Sequence, residues 1–392
     1  MADGADRALV RSCGGIAEID ADIWNRLANP TPQQYNPFVS HEFLSALETS
    51  GSVSREIGWA PLHLILEEDG NIAGVAPLYA KSHSQGEYVF DHHWADAYER
   101  AGGRYYPKLV CAAPFTPVPG PRLLAPDAAG RATLAGALRQ VAAQAGASST
   151  HVNFITDDDR TALATVGFLA RMSEQYHWFN RGYETFDDFL AALSSRKRKT
   201  IRRERREAAE GLTIRQLRGR EITEKHWDAF WLFYQDTGAR KWGHPYLTRD
   251  FFRIVAETMS DRLLLIVAER HDEPVAGALN FIGGDALYGR YWGCTEDVPF
   301  LHFEICYHQA IDFAIENKLA RVEAGAQGQH KIARGYEPVP TWSAHWLVND
   351  SFRDAIERYL DTERDHTSRD IDLLKEYAPF RKNAGSNAPE SG

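Results

Sequence analysis

The densest local chemistry in the 392-residue chain is GAQGQHKIARG, Gly325 to Gly335. Three glycines let main-chain amides approach an anion closely. Gln327, Gln329, His330, Lys331 and Arg334 add donors and positive charge. Lys331 suits a carbonyl or a phosphate, and Arg334 a carboxylate or a phosphate. The spacing is not that of a P-loop. A plain surface turn before a short helix would account for the glycines but hardly for the polar density.

Further candidates lie elsewhere. Glu304 and His308 sit one turn apart in LHFEICYH, where a helix starting near Leu301 follows the strand ALYGRYWGC, which carries Arg290. An acid in a first helical turn complements the helix dipole, and it is also placed to accept a proton. GGRYYPKL followed by PFTPVPGPR presents Tyr105, Tyr106, Lys108 and Arg122 on a proline-stiffened loop pair, which fits either an acceptor-recognition wall or a packed insertion. Trp242, in ARKWGHPYL, fits a cover over a cleft as well as it fits a core. Residues 196 to 206 hold eight Lys/Arg against one acid, and on a helix Lys199, Arg202, Arg203 and Arg206 share one side, a track for phosphates or a solvated face. Asp91-His92-His93 has no second ligand cluster at suitable spacing, so no metal is expected.

Bulk properties limit what these residues can serve. A net charge of −10 rules out a general nucleic-acid coat, so any anionic partner must meet a local patch. The four cysteines are scattered without a C-x-x-C pair, which speaks against a disulfide framework and fits a reducing compartment. The N-terminal residues lack an apolar signal core and no apolar run nears the ~20 residues that span a bilayer. A cytoplasmic protein is expected.

The elements that must position these residues occur twice. Ile19-Asp20 with Trp24 matches Ile222-Thr223 with Trp227, and NPFVSHEF (36–43) matches HPYLTRDFF (244–252), with Ser40 and Thr248 as natural helix N-caps. Leu62 to Ala80 matches Leu263 to Gly283, each reading as strand, polar turn, strand. His177-Trp178 matches His345-Trp346, each after a Gly-aromatic pair. Four matches in one order indicate a duplication. Copy one carries about 35 extra residues, among them APFTPVPGP and an Ala-rich helix over 132–144. The expected division is a first domain, 1–185, serving acceptor recognition; a basic linking helix, 186–211; a second, catalytic domain, 212–350; and a charged helix with a disordered tail, 351–392. Strands alternating with helices, after an early antiparallel hairpin, predict an α/β fold with a mixed sheet.

That order of elements, with the late Gly335-Tyr336-Glu337 step into a strand, resembles the GNAT acyltransferase fold in two tandem copies. With the basic helix, the chain resembles the FemAB/FemX aminoacyltransferases. More closely it is similar to the FemAB-like predicted N-acyltransferases, through YYPKL, PFTPVPGPRLL, LHFE and GAQGQHKIARGYEP. The resemblance covers nearly the whole chain, although the long coiled-coil arm of FemAB proteins is missing. It implies transfer of an acyl or aminoacyl group to an amine, with peptidoglycan precursors as the acceptor class. Glu304, Lys331 and His330 are then the catalytic candidates. Tyr105, Tyr106, Lys108, Arg122, Trp242, Arg290, Gln327 and Arg334 are the substrate-binding ones. No tightly bound cofactor is expected, because the donor is a co-substrate, either aminoacyl-tRNA or a thioester of CoA or an acyl carrier protein. The acceptor is a small-molecule or nucleotide-linked amine. A thioester-dependent enzyme acting on a small amine, and a non-catalytic binder of the same fold, are the competing readings.

Overall fold

The computed structural model describes residues 8–242, 245–325 and 328–381, with the side chains of 239–242 outside the description. Fourteen strands are present among them: β1 (Leu9–Cys13), β2 (Trp59–Pro61), β3 (His63–Glu68), β4 (Asn71–Ala76), β5 (Leu78–Lys81), β6 (Lys108–Cys111), β7 (Ser149–Ile155), β8 (Leu169–Phe179), β9 (Thr213–Arg218), β10 (Leu263–Arg270), β11 (Glu273–Ile282), β12 (Ala286–Cys294), β13 (Arg321–Glu323) and β14 (Glu337–Leu347). Strands β1, β3 and β4 form a small sheet. The other eleven form one mixed sheet in the order β2-β5-β6-β7-β14-β8-β13-β12-β11-β10-β9.

The repeated hairpins are both present, and for the same reason. In each, a two-residue loop with positive φ at both positions closes the turn: Asp69-Gly70 between β3 and β4, and His271-Asp272 between β10 and β11. That backbone twist matches the twist of the flanking strands. Three of the four expected caps hold; at Thr223, the counterpart of Asp20, the hydroxyl instead contacts His226 Nδ1 at 3.0 Å. Asp20, Ser40 and Thr248 each accept a main-chain N–H three residues on, starting helices α1 (Ala21–Ala28), α2 (His41–Thr49) and, in the second half, a helix over Arg249–Thr258. This last helix packs against α2 through Phe43 and Phe251, whose ring centroids are 5.7 Å apart, so the two halves share one aromatic core. β10 runs through the middle of that arrangement. Leu263, Leu265 and Val267 face the shared core, while Leu264, Ile266 and Ala268 face a second core on the other side. A strand buried on both faces needs an apolar run without alternation, which LLLIVA supplies.

The remaining helices are α3 (His92–Arg100), α4 (Ala128–Gln144), α5 (Asp157–Thr165), α6 (Phe186–Ala192), α7 (Ser195–Ala208), α8 (Glu224–Trp242), α9 (the Arg249–Thr258 helix), α10 (Leu301–Phe303), α11 (Gln309–Glu316) and α12 (Asp350–Lys375). The single linking helix expected over 186–211 is two helices. Leu193 is fully buried and bridges Phe380, and Ser194 N–H bonds Pro379 O, so the chain turns before α7 begins. Among the described residues no helix is long and apolar enough to cross a membrane.

The halves also interlock. β14, the last strand of the second half, lies between β7 and β8 of the first, pairing antiparallel with both. β8, the last strand of the first half, lies between β14 and β13. Each half therefore completes the other's sheet.

Candidate functional site

The site begins where two strands part. β12 and β13 run parallel only from Ala286↔Arg321 to Tyr288↔Glu323, after which β13 ends and β12 continues to Cys294. One edge of β12 past Tyr288 is thus left without a strand partner. A cavity of about 520 Å³ opens there, between the second half and the Tyr88, Phe115 and Pro117 wall of the first. β12 also bulges. Leu279 pairs with Tyr291 and Asn280 with Gly289, so Arg290 has no cross-strand partner and joins the cavity wall. Its Nη2 donates to Phe115 O at 2.8 Å, tying β12 to the proline-rich loop. Gly293 allows α8 to lie against β12, because a Cβ there would stand 2.2 Å from Phe233 O.

The helix that follows is irregular. Between α10 and α11, Glu304–His308 forms a π-helical turn in which Gln309 N–H reaches Glu304 O. One extra residue in a turn rotates the side chains that follow it. Tyr307, His302 and Cys306 line the cavity, whereas Glu304 is not among its described lining residues. Opposite them a 3₁₀ turn, Gln329–Arg334, runs between Gly328 (φ 109°) and Gly335 (φ 89°), both in a conformation that a side chain would strain. His330 Nε2 and Tyr307 Oη are 3.0 Å apart, and which one donates depends on the histidine tautomer. Lys331 Nζ donates to Ala324 O (2.7 Å) and Gly325 O (3.0 Å), fastening the turn to the end of β13. Burial raises the Tyr307 hydroxyl above its ordinary value, so it is protonated at neutral pH.

Of the residues singled out in the sequence, His330, Lys331 and Arg290 meet at this cavity. Glu304 is 3% exposed and is gripped by Arg205 of α7, whose Nη2 lies 3.0 Å from its Oε1 while Nε lies 3.1 Å from Oε2. Gln309 also donates to it at 2.8 Å. With its oxygens engaged and away from the cavity, Glu304 is placed to brace the π turn rather than to take a substrate proton. Arg334 forms a two-oxygen pair with Glu204 of α7 at 3.1 and 3.0 Å, donates to His330 O at 3.0 Å, and lies over the Phe303 ring. It too is a brace, not a cavity cation. His308, fully buried, has both ring nitrogens without a hydrogen-bond partner, and burial lowers its pKa, leaving it neutral.

The expected acceptor wall is instead an interior. Lys108 is fully buried, and its ammonium meets Ser84 Oγ (2.8 Å), Glu87 Oε2 (2.8 Å) and Asp91. Tyr105 Oη donates to Asp91 Oδ2 at 2.7 Å, and Tyr106 Oη contacts Ser84 Oγ at 2.8 Å. Arg122, also buried, donates to Asn153 O (3.0 Å), Pro121 O (3.1 Å) and Val118 O (2.7 Å), holding the proline-rich loop from inside. Buried charges are kept only when paired in this way. Burial pushes Glu87 up to about 7 and brings Lys81, which lies over the Trp59 ring, down to about 7.

Lys199, Arg202, Arg203 and Arg206 are exposed on the outer side of α7. Arg202 pairs with Asp187 (2.9 Å) and Arg203 with Glu207 (3.7 Å), while Lys199 and Arg206 have no ion pair among the described residues. Gln327 and the Trp242 side chain lie outside the described residues. Tyr307, His302 and Cys306 were not anticipated. They sit in a stretch that scans as ordinary helix, and nothing in the periodicity marks a π turn. Tyr246, in the loop before the Arg249–Thr258 helix, stacks on Phe115 at 5.0 Å with ring planes 10° apart, a contact between the halves that no local pattern marks.

A family model described as FemAB-like, peptidoglycan biosynthesis/recognition, matches residues 15–382. Solved structures share the fold. FemX aligns over 86% of this chain and 98% of its own, with a TM-score of 0.54 and 12% identity. L-PGS from Bacillus licheniformis aligns over 89% and 98%, with a TM-score of 0.50 and 11% identity. At these identities the likeness is one of fold alone. No curated protein matches the chain in sequence.

Proposed function

Because the chain belongs to the FemAB-like family of peptidoglycan biosynthesis and recognition, we propose that it is an N-acyltransferase whose reaction takes place in the cavity where β12 parts from β13. The observation that carries the reading is that parting itself. It sets an unpaired strand edge beside the Tyr307–His330 pair and the Lys331 ammonium.

The chemistry needs few parts. A neutral amine attacks the carbonyl carbon of an activated acyl group, and the carbonyl oxygen becomes an oxyanion. Main-chain N–H groups on the β12 edge and the Lys331 ammonium are the donors for that charge. His330 takes the proton the amine sheds, and the Tyr307–His330 pair returns a proton to the departing oxygen or sulfur as the amide forms.

The loop between β12 and α10 supports one donor over the other. Residues 295–300 contain no glycine, and Glu296 there is paired with Arg270 at 3.0 Å, so a CoA diphosphate at this helix start would lack a glycine-lined main-chain cradle. That favours an ester-linked donor, aminoacyl-tRNA, with its phosphates along Lys199, Arg202, Arg203 and Arg206. A nucleotide-linked peptidoglycan precursor amine is the acceptor. In the test, charged tRNA and a UDP-linked muropeptide are incubated with the protein and the new amide is followed by mass spectrometry. His330→Ala and Lys331→Met are each expected to lower turnover by ~10²-fold while the fold is kept. Turnover unchanged in both variants would remove the reaction from this cavity. Thermal shifts with acyl-CoA and none with tRNA would replace the donor by a thioester; a ligand at 100 times its Kd adds ~2.7 kcal/mol, which is readily seen.

A further inference from the structure

The cavity's formal charge is one-sided. Its described lining residues include Arg290 and Lys331 but neither Asp nor Glu, although acids outnumber bases by ten in the whole chain. Four partly buried arginines elsewhere are matched by carboxylates, whereas Arg139 and the buried Arg122 are held by main-chain carbonyls. Arg171 has Glu363, Arg205 has Glu304 and Asp312, Arg321 has Asp285 and Glu323, and Arg334 has Glu204. Arg290 has no carboxylate within ion-pair distance among the described residues. Its contacts are all to neutral groups: it donates to Phe115 O, interacts with the Tyr88 and Tyr291 hydroxyls, and lies over the Phe38 and Tyr291 rings. The bulge in β12 holds Arg290 and Tyr291 at the cavity, so Arg290 cannot turn away without rebuilding the strand.

A guanidinium held beside a partly desolvated cavity with no counter-charge is costly, and the natural remedy is an anion brought by a ligand. Aromatic groups surround it: Tyr88, Phe115, Tyr234 and Tyr246 line the same space. We infer that this cavity selects a substrate bearing an oxyanion on an apolar or flat body, with the oxyanion held by Arg290 at the first-half wall and the reacting group at the His330–Lys331 end. A carboxylate and a phosphate monoester share the chemistry that Arg290 recognises. The inference rests on this cavity being the substrate site, but its test does not use turnover.

Three probes of nearly equal shape separate the possibilities: benzoate, phenyl phosphate and the neutral benzamide. Their affinities for the full chain are measured by ligand-observed NMR at concentrations up to ~10 mM, where a millimolar Kd is resolved. The better-bound anion is expected to exceed benzamide by about tenfold or more, the range of a hydrogen bond to a charged group. If that anion is benzoate, the natural group is a carboxylate; if phenyl phosphate, it is a phosphate. In Arg290→Gln, which removes the charge and keeps a polar side chain, the preference should shrink to within about threefold. Arg290→Lys keeps the charge without the fork and should retain part of the preference, and it serves if the glutamine variant does not fold. Lys331→Met should keep the preference. Equal binding of benzamide and the anions, no detectable binding of either anion, or a preference lost in Lys331→Met but kept in Arg290→Gln would each overturn the inference. An intact preference in a protein that forms no amide would leave the oxyanion site standing and refute acyl transfer.

Discussion

The Tyr307–His330 contact is the element of the site that a single oxygen atom can probe. Tyr307→Phe keeps the ring that packs against Tyr336 and His302 but removes the hydroxyl that fixes the imidazole. Turnover is expected to fall by ~10-fold, less than for loss of His330, because water can replace the hydroxyl but not orient the ring as well. A second single-residue test concerns the buried charges around Lys108. Burial first of all, and the neighbouring Asp91, raise Glu87 from 4.5 to about 7, against the attraction of Lys108. A carboxyl raised in the folded state holds its proton more tightly there than in the unfolded chain. Its contribution is complete below the ordinary carboxylate range and is lost as pH rises through 7. Lys81, lowered to about 7, adds no slope below that pH. Urea unfolding of Glu87→Gln at pH 5 and pH 7 should therefore show the variant gaining on the native protein by ~1–2 kcal/mol across that interval.

At the scale of elements, α7 braces both sides of the reaction end. Adjacent residues do the work: Glu204 holds Arg334 in the 3₁₀ turn, and Arg205 holds Glu304 in the π turn. Glu204 and Arg334 side chains are each only 8% exposed, so Glu204→Ala leaves a buried guanidinium unpaired and should cost about 3 kcal/mol in urea unfolding. The His330 carbonyl, bound by the same guanidinium, should loosen with it. These elements differ in how far they could be read from sequence. The hairpins and the caps at Asp20, Ser40 and Thr248 were legible because two-residue turns and N-caps are local chemistry. His330 and Lys331 were legible because polar residues crowded between glycines have little packing purpose. The π turn was not, since LHFEICYHQA has ordinary helical periodicity and the extra residue shows only in the backbone. Tyr105 and Lys108 misled for a different reason. A polar run between prolines reads as exposed, but Lys108 finds Asp91 and Glu87, 17 and 21 residues away, and is buried among them.

Across the whole molecule, the exchange of β8 and β14 could not be read from sequence either. Either strand could have closed its own half, and nothing local distinguishes the two pairings. The exchange makes the halves mutually dependent. Residues 1–210 expressed alone lack β14 between β7 and β8, and residues 211–392 lack β8 beside β13. Each fragment alone is expected to aggregate through open sheet edges, whereas the two co-expressed should elute together as one folded complex in gel filtration. Calorimetry of the intact chain should show one transition, since the aromatic core around Phe43 and Phe251 is shared as well.

The same exchange sets a schedule during synthesis. β8 leaves the ribosome with Phe179, but the strand that belongs between it and β7 begins only at Glu337, 158 residues later (337 − 179). At about 5–20 residues per second the nascent first half waits roughly 10–30 s with three unpaired strand edges, one on β7 and both of β8. During that interval the edges invite pairing with other nascent chains on the same message. The protein should therefore lean on ribosome-associated chaperones, and its soluble yield should rise when translation of the second half is made faster.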